Sequence, residues 1–95
     1  MAAPHFLVHD ADDTVGVVVV EGVEAGQSLE GWLIATDATM SVEARDAIPL
    51  GHKIALANIA AGDTVLKYGH DIGRAGTAIG EGHHVHTHNL KTKRW

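Results

Sequence analysis

The feature that most narrows the folds open to this chain is a pattern that occurs four times: an apolar residue, two residues, glycine, two residues, a second apolar residue. The copies are Val23-Glu-Ala-Gly26-Gln-Ser-Leu29, Ile48-Pro-Leu-Gly51-His-Lys-Ile54, Ile59-Ala-Ala-Gly62-Asp-Thr-Val65 and Ile79-Gly-Glu-Gly82-His-His-Val85. Glycine takes positive φ without the penalty a Cβ brings, so each copy reads as a tight turn whose flanking apolar residues re-enter the core. Intervals of 25, 11 and 20 residues between the glycines are too irregular for a solenoid and describe a recurring corner instead.

The segments between the corners read as short strands. Phe6, Leu7 and Val8 carry one over His5 to His9, and Val15 with Val17 to Val20 carries another over Thr14 to Glu21, a β-branched run poor in helix propensity. Further strands are expected near Leu29 to Thr36, Lys53 to Leu56, Thr64 to Tyr68, Arg74 to Ile79 and His83 to Asn89. Ser41 to Ala47 is polar and reads as a loop or one helical turn; Ala44 stands where a capping box would need an acidic residue. Many short strands punctuated by eleven glycines predict an all-β domain spanning residues 1–95.

Composition removes several function classes. A net charge of -5 argues against a nucleic-acid partner, despite the short basic end at Lys91, Lys93 and Arg94. With no cysteine there is no disulfide, thiolate metal site or cysteine nucleophile. No apolar run approaches the roughly 18 residues of a membrane span. The start Met1-Ala-Ala-Pro-His5 lacks a basic segment followed by an apolar core, so no membrane partner is expected and the cytoplasm is the expected compartment.

The candidate chemistry lies in Gly82-His-His-Val-His-Thr-His-Asn89, which holds four of the eight histidines. In an extended strand His84, His86 and His88 share one face, while His83, Val85 and Thr87 share the other. Imidazole is a common ligand for divalent transition metals, which makes His84, His86 and His88 candidate metal ligands. A rise of about 3.3 Å per residue brings only two of the three within reach of one ion, so further ligands must come from elsewhere. The alternative is a solvated edge strand that binds metal adventitiously. His52 and Lys53 follow the second corner, and Lys67 and Tyr68 end the strand after the third. A cation beside a proton donor suits a carboxylate, yet neighbouring strand residues face opposite ways, so only one of each pair can face a given pocket, and the residues alone favour two solvent lysines with a rim tyrosine. No Ser-His-Asp order, phosphate-cradling glycine loop or calcium loop is present.

These residues carry a family resemblance. Gly51-His-Lys-Ile-Ala-Leu56, Ile59 with Gly62, Val65-Leu-Lys-Tyr-Gly69 with Ile72-Gly73, and His84-Val-His-Thr-His-Asn89 together resemble the SAF domain at the front of altronate and galactarate dehydratases. The likeness runs through nearly the whole chain from Phe6. In the fused dehydratases a larger catalytic domain follows, whereas here the sequence ends at Trp95, which leads us to expect a separate small subunit. Phe6-Leu-Val-His9, Val15-Gly-Val-Val-Val-Val-Glu-Gly22 and Lys91-Thr-Lys-Arg-Trp95 look like the small (alpha) subunits of (R)-sulfolactate sulfo-lyases, with free-standing small subunits of altronate dehydratases as the near rival.

The resemblance implies a β-clip fold and a shared reaction logic: loss of a proton next to a carboxylate, metal stabilisation of the resulting charge, departure of a β-substituent, and collapse to a keto acid. It implies a small anionic hydroxy-acid substrate, a divalent metal such as Fe(2+) shared with a large catalytic (beta) subunit, and a lyase active only as the assembly. On that reading His52 and His86 are candidate catalytic residues, His84, His86 and His88 metal ligands, and Lys53, Lys67 and Tyr68 substrate-binding residues. His83 is given no role, because the fused relatives tend to carry an acidic residue there. SAF-like modules also serve as non-catalytic carbohydrate- or anion-binding domains, and a metal storage or delivery protein is a third possibility.

Overall fold

The computed structural model describes residues 3–67 and 70–91. The strands are β1 (Phe6–Val8), β2 (Val15–Val18), β3 (Ser28–Leu33), β4 (Ala38–Glu43), β5 (Lys53–Ala55), β6 (Thr64–Lys67), β7 (His70–Ala75), β8 (His84–Val85) and β9 (Leu90–Lys91). No helix occurs among the described residues. A six-stranded sheet runs β4-β3-β1-β2-β5-β8, and a three-stranded sheet runs β6-β7-β9. Every pairing is antiparallel except β1 with β3. This is an all-β fold of short strands in open sheets, as expected of a small β-clip domain of the SAF type.

The four corners explain the architecture. Gly26, Gly51, Gly62 and Gly82 have φ of 90°, 84°, 86° and 85°, in the region that favours glycine. In each, the N–H after the glycine donates to the carbonyl three residues back, as in a type II turn: Gln27 to Glu24, His52 to Pro49, Asp63 to Ala60 and His83 to Gly80. All eight flanking apolar residues are buried. Two bridges, Val23 with Ile48 and Ile59 with Ile79, join the corners in pairs.

The corners feed two apolar clusters. The first packs Phe6, Val8, Leu29, Ile48 and Ile54 with their neighbours. The second packs Val15, Ala55, Ile59, Val65, Ile79 and Val85. In the first, the Phe6 ring lies over Gly31 so closely that a Cβ there would overlap it. Thr14 ties the two sheets together: its N–H donates to the Leu66 carbonyl, its carbonyl accepts from Leu56, and its hydroxyl accepts from the Leu66 N–H. Val85 of the histidine-bearing strand packs in the second cluster with Val65 and Ala75 of the three-stranded sheet.

Four sequence expectations are corrected. Ser41 to Ala47 is neither loop nor helical turn at its start, because Ala38–Glu43 pairs with β3 over six residues. Val42 is its one fully buried residue, so β4 is a half-exposed edge strand whose alternation is too weak to read. The strand expected over Arg74 to Ile79 runs instead from His70 to Ala75, and the chain bends at Gly76 and Thr77. The strand expected over His83 to Asn89 stops after Val85, and a turn through residues 86–89 leads into β9. Its cause is the Asn89 side chain, which bonds to the backbone at both His84 and His86. Finally, His52 lies in the corner before β5, so strand alternation does not govern the pair His52 and Lys53.

Candidate metal centre

The imidazoles meet at the β5–β8 junction. β8 pairs antiparallel with β5, Lys53 opposite Val85 and Ile54 opposite His84. The second corner delivers His52 to the start of β5, and the fourth delivers His84 to the start of β8. His52 Nδ1 and His84 Nε2 lie 2.7 Å apart in a hydrogen bond in which one ring donates and the other accepts. The His52 and His86 rings stack at 3.8 Å between centroids with 15° between planes. His84 and His86 stand 5.9 Å apart and nearly parallel.

Each of the three can offer one ring nitrogen, and these nitrogens all lie within 4.8 Å of one another. An ion at about 2.1 Å from each would draw them to roughly 3.3 Å. The buried Nδ1 of His86 has no hydrogen-bond partner among the described residues, and an unpaired buried acceptor is costly unless something binds it. The donor set therefore fits a divalent metal ion. A metal ligand must be an unprotonated imidazole, and for two of the rings the surroundings favour that form. Burial holds His84 below its ordinary value of 6.5, helped by His88, His52 and His86 and opposed by Asp46. Burial likewise lowers His86, with His52, Lys53 and His88 adding to the effect.

Of the sequence candidates, His88 stands outside this group; its ring is exposed and tilted against that of His84 at 5.0 Å. Lys53 is half-buried beside the cluster, and its ammonium is held below the ordinary lysine value by burial and by Lys67. Lys67 ends β6 on the neighbouring sheet, opposite His70. Tyr68 lies outside the described residues.

Two polar residues absent from the sequence candidates frame the cluster. Asp46 Oδ2 accepts both from the His84 N–H and from His83 Nδ1, each at 2.9 Å. Its carboxyl is held below the ordinary value chiefly by the His84 N–H, with His83 assisting against the cost of burial. Asn89, 7% exposed, accepts from the His86 N–H at 3.0 Å and donates to the His84 carbonyl at 2.8 Å. Asn89 had a legible signal, since asparagine often bonds backbone a few residues away; Asp46, 38 residues before His84, had none. Asp46, Gly80, His83, His84, His88 and Asn89 also line a cavity of about 230 Å³ that opens beside His84.

No helix among the described residues is long and apolar enough to cross a membrane. Residues 4–93 match the family model described as the altronate/galactarate dehydratase SAF domain. The chain is 61% identical over 90 residues to the "(2R)-sulfolactate sulfo-lyase subunit alpha" of Chromohalobacter salexigens, covering 95% of this chain and 96% of the relative. It is 60% identical over 48 residues to the protein of the same name from Paracoccus pantotrophus, covering 50% of this chain and 72% of that one. Against the altronate dehydratase of Bacillus subtilis it is 35% identical over 85 residues, covering 90% of this chain but 16% of that much longer protein. The corners, the sheet order and this match over almost the whole sequence place the chain in the altronate/galactarate dehydratase SAF domain family.

Proposed function

We propose that this chain is the small subunit of a heteromeric lyase that converts (R)-3-sulfolactate to pyruvate and sulfite, with the main catalytic machinery on a large partner subunit. The observation that carries the reading is the cluster of His52, His84 and His86 around the unpartnered His86 Nδ1, in a chain so similar to a named sulfo-lyase alpha subunit. In the reaction the C2–H bond breaks and its proton goes to a base. The C3–S bond breaks with its electron pair on sulfur, which leaves as sulfite, and the enol that remains takes a proton at C3 and releases its hydroxyl proton to become pyruvate.

The ion, iron(II) in this proposal, supplies Lewis-acid stabilisation of the charge that develops next to the carboxylate. His52, His84 and His86 hold it as neutral ligands and so leave its positive charge intact for a dianionic substrate. Three nitrogens alone do not select iron over zinc or copper, so oxygen ligands come from the large subunit or the substrate. An imidazole committed to the ion is not free to take the C2 proton through the same nitrogen, so in this proposal the base is a group other than the three ligands. His52 and His86 would then contribute to catalysis by holding and orienting the ion. Lys53 and Lys67, with Tyr68, receive the carboxylate or sulfonate.

The test is anaerobic assay of this chain co-expressed with its large subunit and loaded with iron(II), following pyruvate and sulfite from (R)-sulfolactate with altronate in parallel. Sulfite release that requires both chains is the expected result. Turnover of altronate alone would move the chain to the sugar-acid dehydratases, and full activity without this chain would overturn the reading.

A further inference from the structure

Among the described residues β8 is the last strand of its sheet, and its outer edge has no neighbouring strand there. In the antiparallel pair with β5, Ala55 N–H bonds the His83 carbonyl, which makes His84 and Ile54 a pair that does not exchange hydrogen bonds. The His84 N–H and C=O therefore point away from β5. Side chains take those groups: Asp46 accepts from the His84 N–H, and Asn89 donates to its carbonyl while accepting from the His86 N–H. Asp46 also fixes the neighbouring His83 ring. We propose that Asp46 and Asn89 are positioning residues for the metal centre, clamping the free edge of β8 so that His84 and His86 already face His52 before an ion arrives.

Fold stability alone does not account for this arrangement. The Asp46 side chain is 44% exposed, and such a surface carboxylate contributes little to folding. Yet one of its oxygens is shared by two donors from consecutive residues, the second of which is in the imidazole cluster. Asn89 is one of two buried polar or charged residues among the described ones, and both of its hydrogen bonds go to the peptide framework of His84 and His86. Ligands held in place this way bind without the cost of ordering them, and loss of such outer partners typically weakens metal affinity by about 10- to 100-fold.

The inference rests on the metal reading above and is tested on the full chain with cobalt(II), whose visible absorption reports ligand geometry without any turnover. Asp46→Ala and Asn89→Ala are expected to weaken cobalt binding about 10- to 100-fold and to alter the absorption bands. Asp46→Asn, which keeps an acceptor oxygen, is expected to restore most of the affinity, and Asn89→Asp, which keeps the acceptor but loses the donor, to fall between. Leu33→Ala, in the first apolar cluster, is the control: it lowers thermal stability and leaves cobalt binding unchanged. Folded Asp46 and Asn89 variants with wild-type midpoints and spectra would overturn the inference, as would an equal loss in Leu33→Ala. A wild-type chain that binds no cobalt either alone or with its large subunit would instead remove the metal reading itself.

Discussion

Alanine at two of the corner glycines separates backbone strain from steric exclusion. Gly51 and Gly82 occupy the same place in equivalent turns, with φ of 84° and 85°. A Cβ at Gly51 would meet nothing within 4 Å, whereas one at Gly82 would overlap the carbonyl oxygen of Glu43 and touch the Arg45 side chain. Both substitutions cost about 1–2 kcal/mol for a Cβ in left-handed backbone. Gly82→Ala adds roughly 1–3 kcal/mol for overpacking, because the obstacle is backbone, held by the Arg45 N–H bond to the Gly82 carbonyl. In a domain this small each kcal/mol moves Tm by about 4–8 °C. Thermal unfolding with a chelator present, to exclude stabilisation by bound metal, should show Gly82→Ala melting about 4–24 °C below Gly51→Ala. Equal melting temperatures would refute the steric argument and with it the close approach of β4 to the fourth corner.

Three further outcomes follow from the same structure. Phe6→Ala removes the largest fully buried side chain of the first cluster and should cost about 3–5 kcal/mol by urea unfolding; a cost below about 1 kcal/mol would contradict the core assignment. Because His84 and His86 have folded pKa values below 6.5, the unfolded chain binds protons first: stability of the metal-free protein is full above 6.5 and falls as pH drops through and below it, and a urea midpoint that rises on mild acidification would contradict this. In the assembled enzyme Lys53→Gln should raise KM about 10- to 100-fold by removing a charged hydrogen bond to the substrate anion, and an unchanged KM would remove Lys53 from the site.

Much of the fold was legible because its signals are local. Each corner needs one glycine at positive φ between two core residues, and that requirement is written in seven consecutive residues. β4 was not legible because only Val42 of its six residues is buried and it lies at the edge of the sheet, so nothing within the segment marks it as a strand. The histidine segment shows both cases. Its alternation marked His84 and His86, but the bend that ends β8 depends on Asn89, and the third imidazole of the cluster comes from His52 in another corner. Asp46 reaches His84 through tertiary contact alone, which no spacing rule encodes.

In the proposed assembly His52, His84 and His86 hold the metal ion. X-ray absorption at the iron edge of the iron-loaded complex tests this assignment most directly, because imidazole rings leave a multiple-scattering signature that oxygen ligands do not. This signature should be present in the wild type and diminish in each of His52→Ala, His84→Ala and His86→Ala. A spectrum without imidazole scattering, or one unchanged in all three variants, would contradict it.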